Sequence, residues 1–164
     1  MDSFDDVLAA NASYAEQFQD PGKPGRAARG LAVVTCMDSR ISPLEMLGLE
    51  PGDAKILRNA GARVTDDVLR TLVLAVHLLD VTRVMVVAHT DCRMTKVTDD
   101  EVHEEMLSRG LDTRSLEFRT ISDQRRELAG DVQRIRSSPY LPKDLPVIGC
   151  IYDVTTGLIE VAVP

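Results

Sequence analysis

Two short clusters carry the residue types that bind metals and move protons: Cys36-Met-Asp-Ser-Arg40 and His89-Thr-Asp-Cys92. Cys36, Cys92 and His89 form a soft donor set of two sulfurs and one nitrogen, which suits Zn²⁺ and leaves a fourth tetrahedral position open. Three protein ligands with a vacancy are typical of catalytic zinc, whereas closed structural sites usually have four. With both cysteines as thiolates and the histidine neutral, the zinc site carries no net charge before its fourth ligand arrives. Zinc lowers the pKa of a bound water and yields hydroxide near neutral pH. Thiolate donors feed electron density to the metal, so the shift should be smaller than with three imidazoles, and activity should rise on the alkaline side. Asp38 and Arg40 lie two apart and, on an extended segment, point to the same side as Cys36. A carboxylate there can accept a hydrogen bond from bound water or ligate the metal, and Arg40 would keep it ionised. The plainer alternative makes the cysteines small buried hydrophobes, His89 a satisfied core histidine, and Asp38–Arg40 a pair that supports a turn.

What argues against the plainer alternative is where the chain puts these residues. Leu31–Thr35 reads as a buried strand running into Cys36, and Val84–Ala88 as another running into His89. In a parallel α/β sheet, neighbouring strand ends form the crevice where ligands bind. From Gly30 onward the pattern alternates strand and helix. Strands are expected at 31–36, 54–57, 82–88, 146–152 and 158–163. A short helix is expected near Pro43–Leu47, with longer ones over 66–79, 98–109 and 115–136. Val68, Leu69, Leu72, Ala75, Val76 and Leu79 make one apolar stripe. The expected fold is α/β, a mostly parallel central sheet flanked by helices and covered on both faces. Ahead of it, Phe4, Val7, Leu8, Ala15 and Phe18 recur at helical spacing, and Pro21-Gly-Lys-Pro-Gly25 breaks the pattern. Residues 1–25 are thus expected to be a helical arm and linker, and 26–164 a single zinc-binding catalytic domain. An amphipathic helix cannot bury its apolar face alone, so the arm should pack on a partner subunit or on its own body.

Other residues near the strand ends are open to two readings. Arg58-Asn59-Ala60-Gly61 suits a tight turn presenting amides to the crevice, or a turn with no duty. Asp91 would support a ligand or cap the next turn. His77, His103 and Cys150 have no metal-like companions and read as ordinary surface or core residues. At 164 residues with a net charge of −7, the chain suits one domain and argues against a nucleic-acid partner. The arginines between Arg109 and Arg136 are interrupted by acids and read as a solvated mixed-charge helix. No apolar run reaches the roughly 18 residues of a membrane span. The acidic start, Met1-Asp-Ser-Phe-Asp-Asp6, lacks the basic opening of a signal peptide. Three cysteines, two of them in these motifs, argue against a disulfide framework and for a reducing cytoplasm. The absence of Cys-x-x-Cys disfavours redox thiol chemistry.

The chain resembles a β-class carbonic anhydrase, in particular the compact actinobacterial type, through Cys36–Arg40, Gly52-Asp53, Arg58–Gly61, His89–Cys92 and Gly149–Gly157. The resemblance implies one zinc per subunit on Cys36, His89 and Cys92, and reversible hydration of CO₂ to bicarbonate and a proton. Asp38 would orient zinc-bound hydroxide and Arg40 would orient Asp38; Asn59, Ala60, Gly61 and the position of Arg93 would contact substrate. In a closed state of some members, the aspartate matching Asp38 binds zinc as a fourth ligand. The resemblance also implies a homodimer or homotetramer, with the N-terminal helix embracing the neighbour. One departure stands out: the family usually has glycine after the second cysteine ligand, where this chain has Arg93. Arginine supplies the same amide unless the backbone needs φ > 0. Its side chain could narrow the mouth, attract bicarbonate, or block the site. Two other functions compete: zinc-dependent hydrolysis of another small linear molecule such as carbon disulfide, and a non-catalytic zinc- or anion-binding role.

Overall fold

The runs rich in valine and isoleucine form one sheet, in a computed structural model that describes residues 4–164. Its strands are β1 (Leu31–Cys36), β2 (Ala54–Asn59), β3 (Arg83–His89), β4 (Val147–Tyr152) and β5 (Ile159–Val163). They lie in the order β2-β1-β3-β4-β5. The first four are parallel, and β5 returns antiparallel to β4 after the Asp153–Gly157 turn. The chain leaves β1 towards one side for β2, then crosses back to lay β3 on the other. β1 and β3 therefore flank the topological switch point, and a crevice opens beyond their carboxyl ends. Cys36 ends β1 and His89 ends β3.

The chain forms four α-helices, α1 (Asp5–Gln17), α2 (Asp66–Leu78), α3 (Asp99–Ser108) and α4 (Gln124–Arg136). Side-chain caps start three of them: Thr65 for α2, a Thr98–Glu101 capping box for α3, and Asp123 for α4. α2 buries Val68, Leu72 and Ala75, and α4 buries Leu128, Val132 and Ile135, all against Ala32, Val34, Val84 and Val86. Both helices thus pack on the same face of the sheet. On the other face, Leu31, Val33, Val87 and Cys150 meet Met46, Leu47 and Leu49 of the β1–β2 connection. The short helix expected near Pro43–Leu47 is a 3₁₀ turn, Glu45–Leu47, before Gly48 turns left-handed at φ 61°. A hollow of about 320 Å³ lined by Leu47, Met85 and Ile148 persists on that side.

The helix expected over 115–136 is shorter. Residues 115–123 are irregular because the Asp99 carboxylate accepts hydrogen bonds from the backbone N–H groups of Phe118, Arg119 and Thr120. Arg119 adopts φ 57°, and the Ile121 N–H donates to the Met94 carbonyl, so helical bonding starts only after Asp123. Nor is α4 simply a solvated charged helix, since Asp131 is buried. α1 buries no residue and exposes Phe4, Val7, Leu8, Tyr14 and Phe18. The segment behind it is anchored, because the Lys23 ammonium pairs with Asp53 at 2.8 Å.

Candidate metal centre

Parallel pairing of β1 with β3 brings the two sequence clusters together. Cys36, His89 and Cys92 are buried, and their sulfur and nitrogen ligand atoms all lie within 4.8 Å of one another. The His89 Nδ1–H donates to the Thr90 carbonyl at 2.8 Å, which leaves the Nε2 lone pair directed at the sulfurs' side of the ring. His89 is 1% exposed, and Nε2 is the one buried side-chain nitrogen or oxygen among the described residues with no hydrogen-bond partner. A buried, unpaired base is costly unless something else satisfies it. A hydrogen bond from Cys92 pulls the Cys36 thiol down, with His89 and the Gly61 amide assisting against burial. The same bond pushes Cys92 up. The pair therefore releases one proton readily and keeps the second until a cation replaces it. Lone pair, ready thiolate and displaceable proton together fit a soft divalent metal.

A charged network borders this cluster. Arg40 donates to Asp38 through its backbone N–H (2.9 Å), Nε (3.0 Å) and Nη2 (2.7 Å). Those bonds hold the Asp38 carboxyl well below the usual carboxylate range. Asp38 Oδ2 lies 3.9 Å from His89 Nε2, beside the metal position. Arg40 also donates to Asp91 at 2.8 Å, and Lys96 pairs with the same aspartate. Lys96 first, then Arg40, keep Asp91 near pKa 2. Asp91 stands at φ 56°, where its short polar side chain is tolerated.

Two polar residues here escaped the sequence reading as site residues. Arg58 donates to the carbonyls of Cys36 (2.9 Å) and Asp38 (2.6 Å), pinning the backbone that carries both. Its place at the head of the Arg58–Gly61 run at a strand end was an available signal. Gln124, the first residue of α4, donates to the His89 carbonyl at 2.8 Å, and no local pattern announces it. Asn59 commits its side-chain amide to the backbone of Arg63, donating to its carbonyl and accepting from its N–H. Ala60 follows it in the turn, and the Gly61 N–H donates to Cys36 Sγ at 3.4 Å. Arg93 opens a 3₁₀ turn (Arg93–Thr95) with its side chain exposed, and it is not among the positive-φ residues. An arginine therefore fits this backbone without strain.

Known proteins are similar to this chain in sequence and in fold. A family model described as Carbonic anhydrase matches residues 31–159. Beta-carbonic anhydrase 1 of Mycobacterium tuberculosis is 33% identical over 160 residues, 98% of this chain and 98% of that one. A carbonic anhydrase structure from Streptococcus mutans superposes with a TM-score of 0.93 at 37% identity, covering 99% of this chain and 98% of that chain. A carbon disulfide hydrolase from an Acidianus species is 33% identical over 153 residues, 78% of this chain and 74% of its own length.

Proposed function

The chain belongs to the β-carbonic anhydrase family, and from that premise we propose that it reversibly hydrates carbon dioxide to bicarbonate and a proton. Cys36, His89 and Cys92 would hold one zinc per chain. The observation that carries this reading is the orphaned, buried His89 Nε2 facing two thiols, one of them ready to ionise, with an ionised carboxylate 3.9 Å away. Zinc, when bound, polarises water so that it gives up a proton near neutral pH. Asp38 does the orienting. A carboxylate is an acceptor only, so Asp38 takes the hydrogen bond of the attacking oxygen and turns its lone pair towards CO₂. Arg40 grips both Asp38 oxygens, which keeps the carboxylate deprotonated and oriented. We read this pairing as the open arrangement. Arg93 offers its amide and, with its exposed cation, draws bicarbonate to the mouth. Replacing it, Arg93→Gly, should change turnover at unchanged zinc occupancy; identical turnover would remove Arg93 from the site.

The assembly we propose is a homodimer or homotetramer acting in the cytoplasm. No described helix is long and apolar enough to cross a membrane. The exposed apolar face of α1 and a hollow of about 600 Å³ between α2 and the end of α4, lined by Leu69, Val73, Leu74 and Tyr140, support an arm exchanged with a second copy. Carbon disulfide hydrolysis is the second reading, because relatives of that name align here. They cover about three quarters of the chain, whereas the mycobacterial carbonic anhydrase aligns across 98% of it. Parallel assays of zinc-loaded protein decide between them. CO₂ hydration without sulfide release from carbon disulfide is the expected result; sulfide release without CO₂ hydration would overturn it.

A further inference from the structure

The turn between β2 and α2 is held in a conformation its sequence does not favour. Gly61 stands at φ 79° and ψ 11°, and Ala62 follows at φ 59°. A left-handed alanine is disfavoured by its Cβ, and such residues persist where the surroundings over-determine them. Here Arg63 supplies the constraint. Its Nε donates to Asp131 at 2.7 Å, its Nη2 to Glu127 at 2.7 Å, and its Nη1 to the Arg119 carbonyl at 3.2 Å. Asp131 also accepts from the Val64 N–H at 3.1 Å, and Asn59 closes the turn by bonding both backbone groups of Arg63. The product of this bracing is one contact with the metal cluster, the Gly61 N–H on Cys36 Sγ. The position admits no side chain: a Cβ on Gly61 would come within 3.0 Å of Ile121 Cδ1 and 3.3 Å of Met94 Cγ.

We propose that Arg63 is a positioning residue for the metal centre: clamped by Glu127 and Asp131 of α4, it holds the left-handed turn that keeps the Gly61 amide on the Cys36 sulfur. The inference rests on the proposed metal reading and extends it to residues away from the ligands. An amide hydrogen bond draws charge from a thiolate, so the sulfur donates less to the metal and the metal stays a stronger Lewis acid. The same helix steadies the other strand end, since Gln124 holds the His89 carbonyl. α4 thus sets β1 through the turn and β3 directly.

Cobalt(II) replacing zinc reports on the sulfur itself, through the energy of its thiolate-to-metal charge-transfer band. Arg63→Gln should still bind one equivalent of cobalt, with the band moved to lower energy and zinc affinity reduced roughly tenfold. Adding Ala62→Gly, which relieves the left-handed strain, should move the band back towards its wild-type energy. Glu127→Gln, which removes one of the two carboxylates and is milder if Arg63→Gln folds poorly, should shift the band the same way by less. A band unmoved in Arg63→Gln or Glu127→Gln, whatever happens to the melting temperature, would reduce Arg63 to a structural role and overturn the proposal. A shifted band that Ala62→Gly leaves unrestored would overturn the link through turn strain. Wild-type protein that binds no cobalt or zinc would sink the metal reading, and this inference with it. Metal uptake with an unmoved band fails the inference alone.

Discussion

Two arginines sit on either side of the Cys36–His89–Cys92 cluster, each between two carboxylates, and they are built for different work. Arg40 pairs with Asp38 and Asp91 at the crevice mouth, its side chain 45% exposed. Arg63 pairs with Glu127 and Asp131 behind the Gly61 turn, its side chain 12% exposed and that of Asp131 only 6%. Exposed ion pairs are screened by water and contribute little to stability, while breaking a buried one strands a charge. The exposed pair is free to exchange partners during a reaction, and on the proposed function its value lies in placing Asp38. The buried pair cannot exchange cheaply, and its value lies in fixing backbone. On that proposal, chemistry falls to the first arginine and architecture to the second.

The sharpest break in this contrast comes from the proposed metal ligands between them. His89→Ala should abolish zinc binding and turnover together, measured by metal analysis and stopped-flow hydration; full zinc with normal turnover would remove the cluster from function. Next, Asp38→Asn should keep its zinc but lower kcat by about a hundredfold or more, the scale of a lost orienting contact, with a melting temperature close to wild type. A large loss of stability instead would place Asp38 with the scaffold. Asp131→Ala should do the opposite, costing about 2–3 kcal/mol in denaturant unfolding, because the Val64 N–H and the Arg63 Nε lose their buried acceptor while Arg63 keeps only Glu127. A loss below about 1 kcal/mol, the scale of an exposed pair, would erase the difference between the two arginines.

A smaller effect concerns acid. Hydrogen bonds from Thr120, its hydroxyl and then its backbone N–H, hold the Asp99 carboxyl below its usual range. A carboxylate depressed in the folded state contributes fully above its unfolded value of about 4 and loses that contribution as pH falls towards the folded one. Asp99→Asn should therefore flatten the stability profile below about pH 4, and hydrogen exchange at 118–121 should quicken. Smallest of all, Lys96→Ala removes an exposed partner of Asp91 and should change stability by less than about 1 kcal/mol, with an effect that salt erases.

The strands were legible because β1, β3 and β4 are apolar runs rich in valine and isoleucine, and the ligand residues because their types stand at the ends of two such runs. The boundary of α4 was not legible. Residues 115–123 carry no turn signal strong enough to stop a helix; Asp99, distant in sequence, competes for their backbone amides. The role of Arg63 was hidden for the same reason. Its partners Glu127 and Asp131 lie in a stretch whose alternating charges read as a solvated face, and only the fold shows that Asp131 points inward. Cover of the second sheet face was partly legible: Pro43–Leu47 read as a short helix, but the apolar pattern of β1 and β3 does not say that this segment is what lies on it.

The central claim, a zinc-dependent carbonic anhydrase centred on Cys36, His89 and Cys92, is tested most directly by titrating metal-free protein with zinc while following CO₂ hydration by stopped flow at mildly alkaline pH. The account predicts that turnover rises in proportion to bound zinc and stops rising at one zinc per chain. Full occupancy at that stoichiometry with no hydration would contradict it.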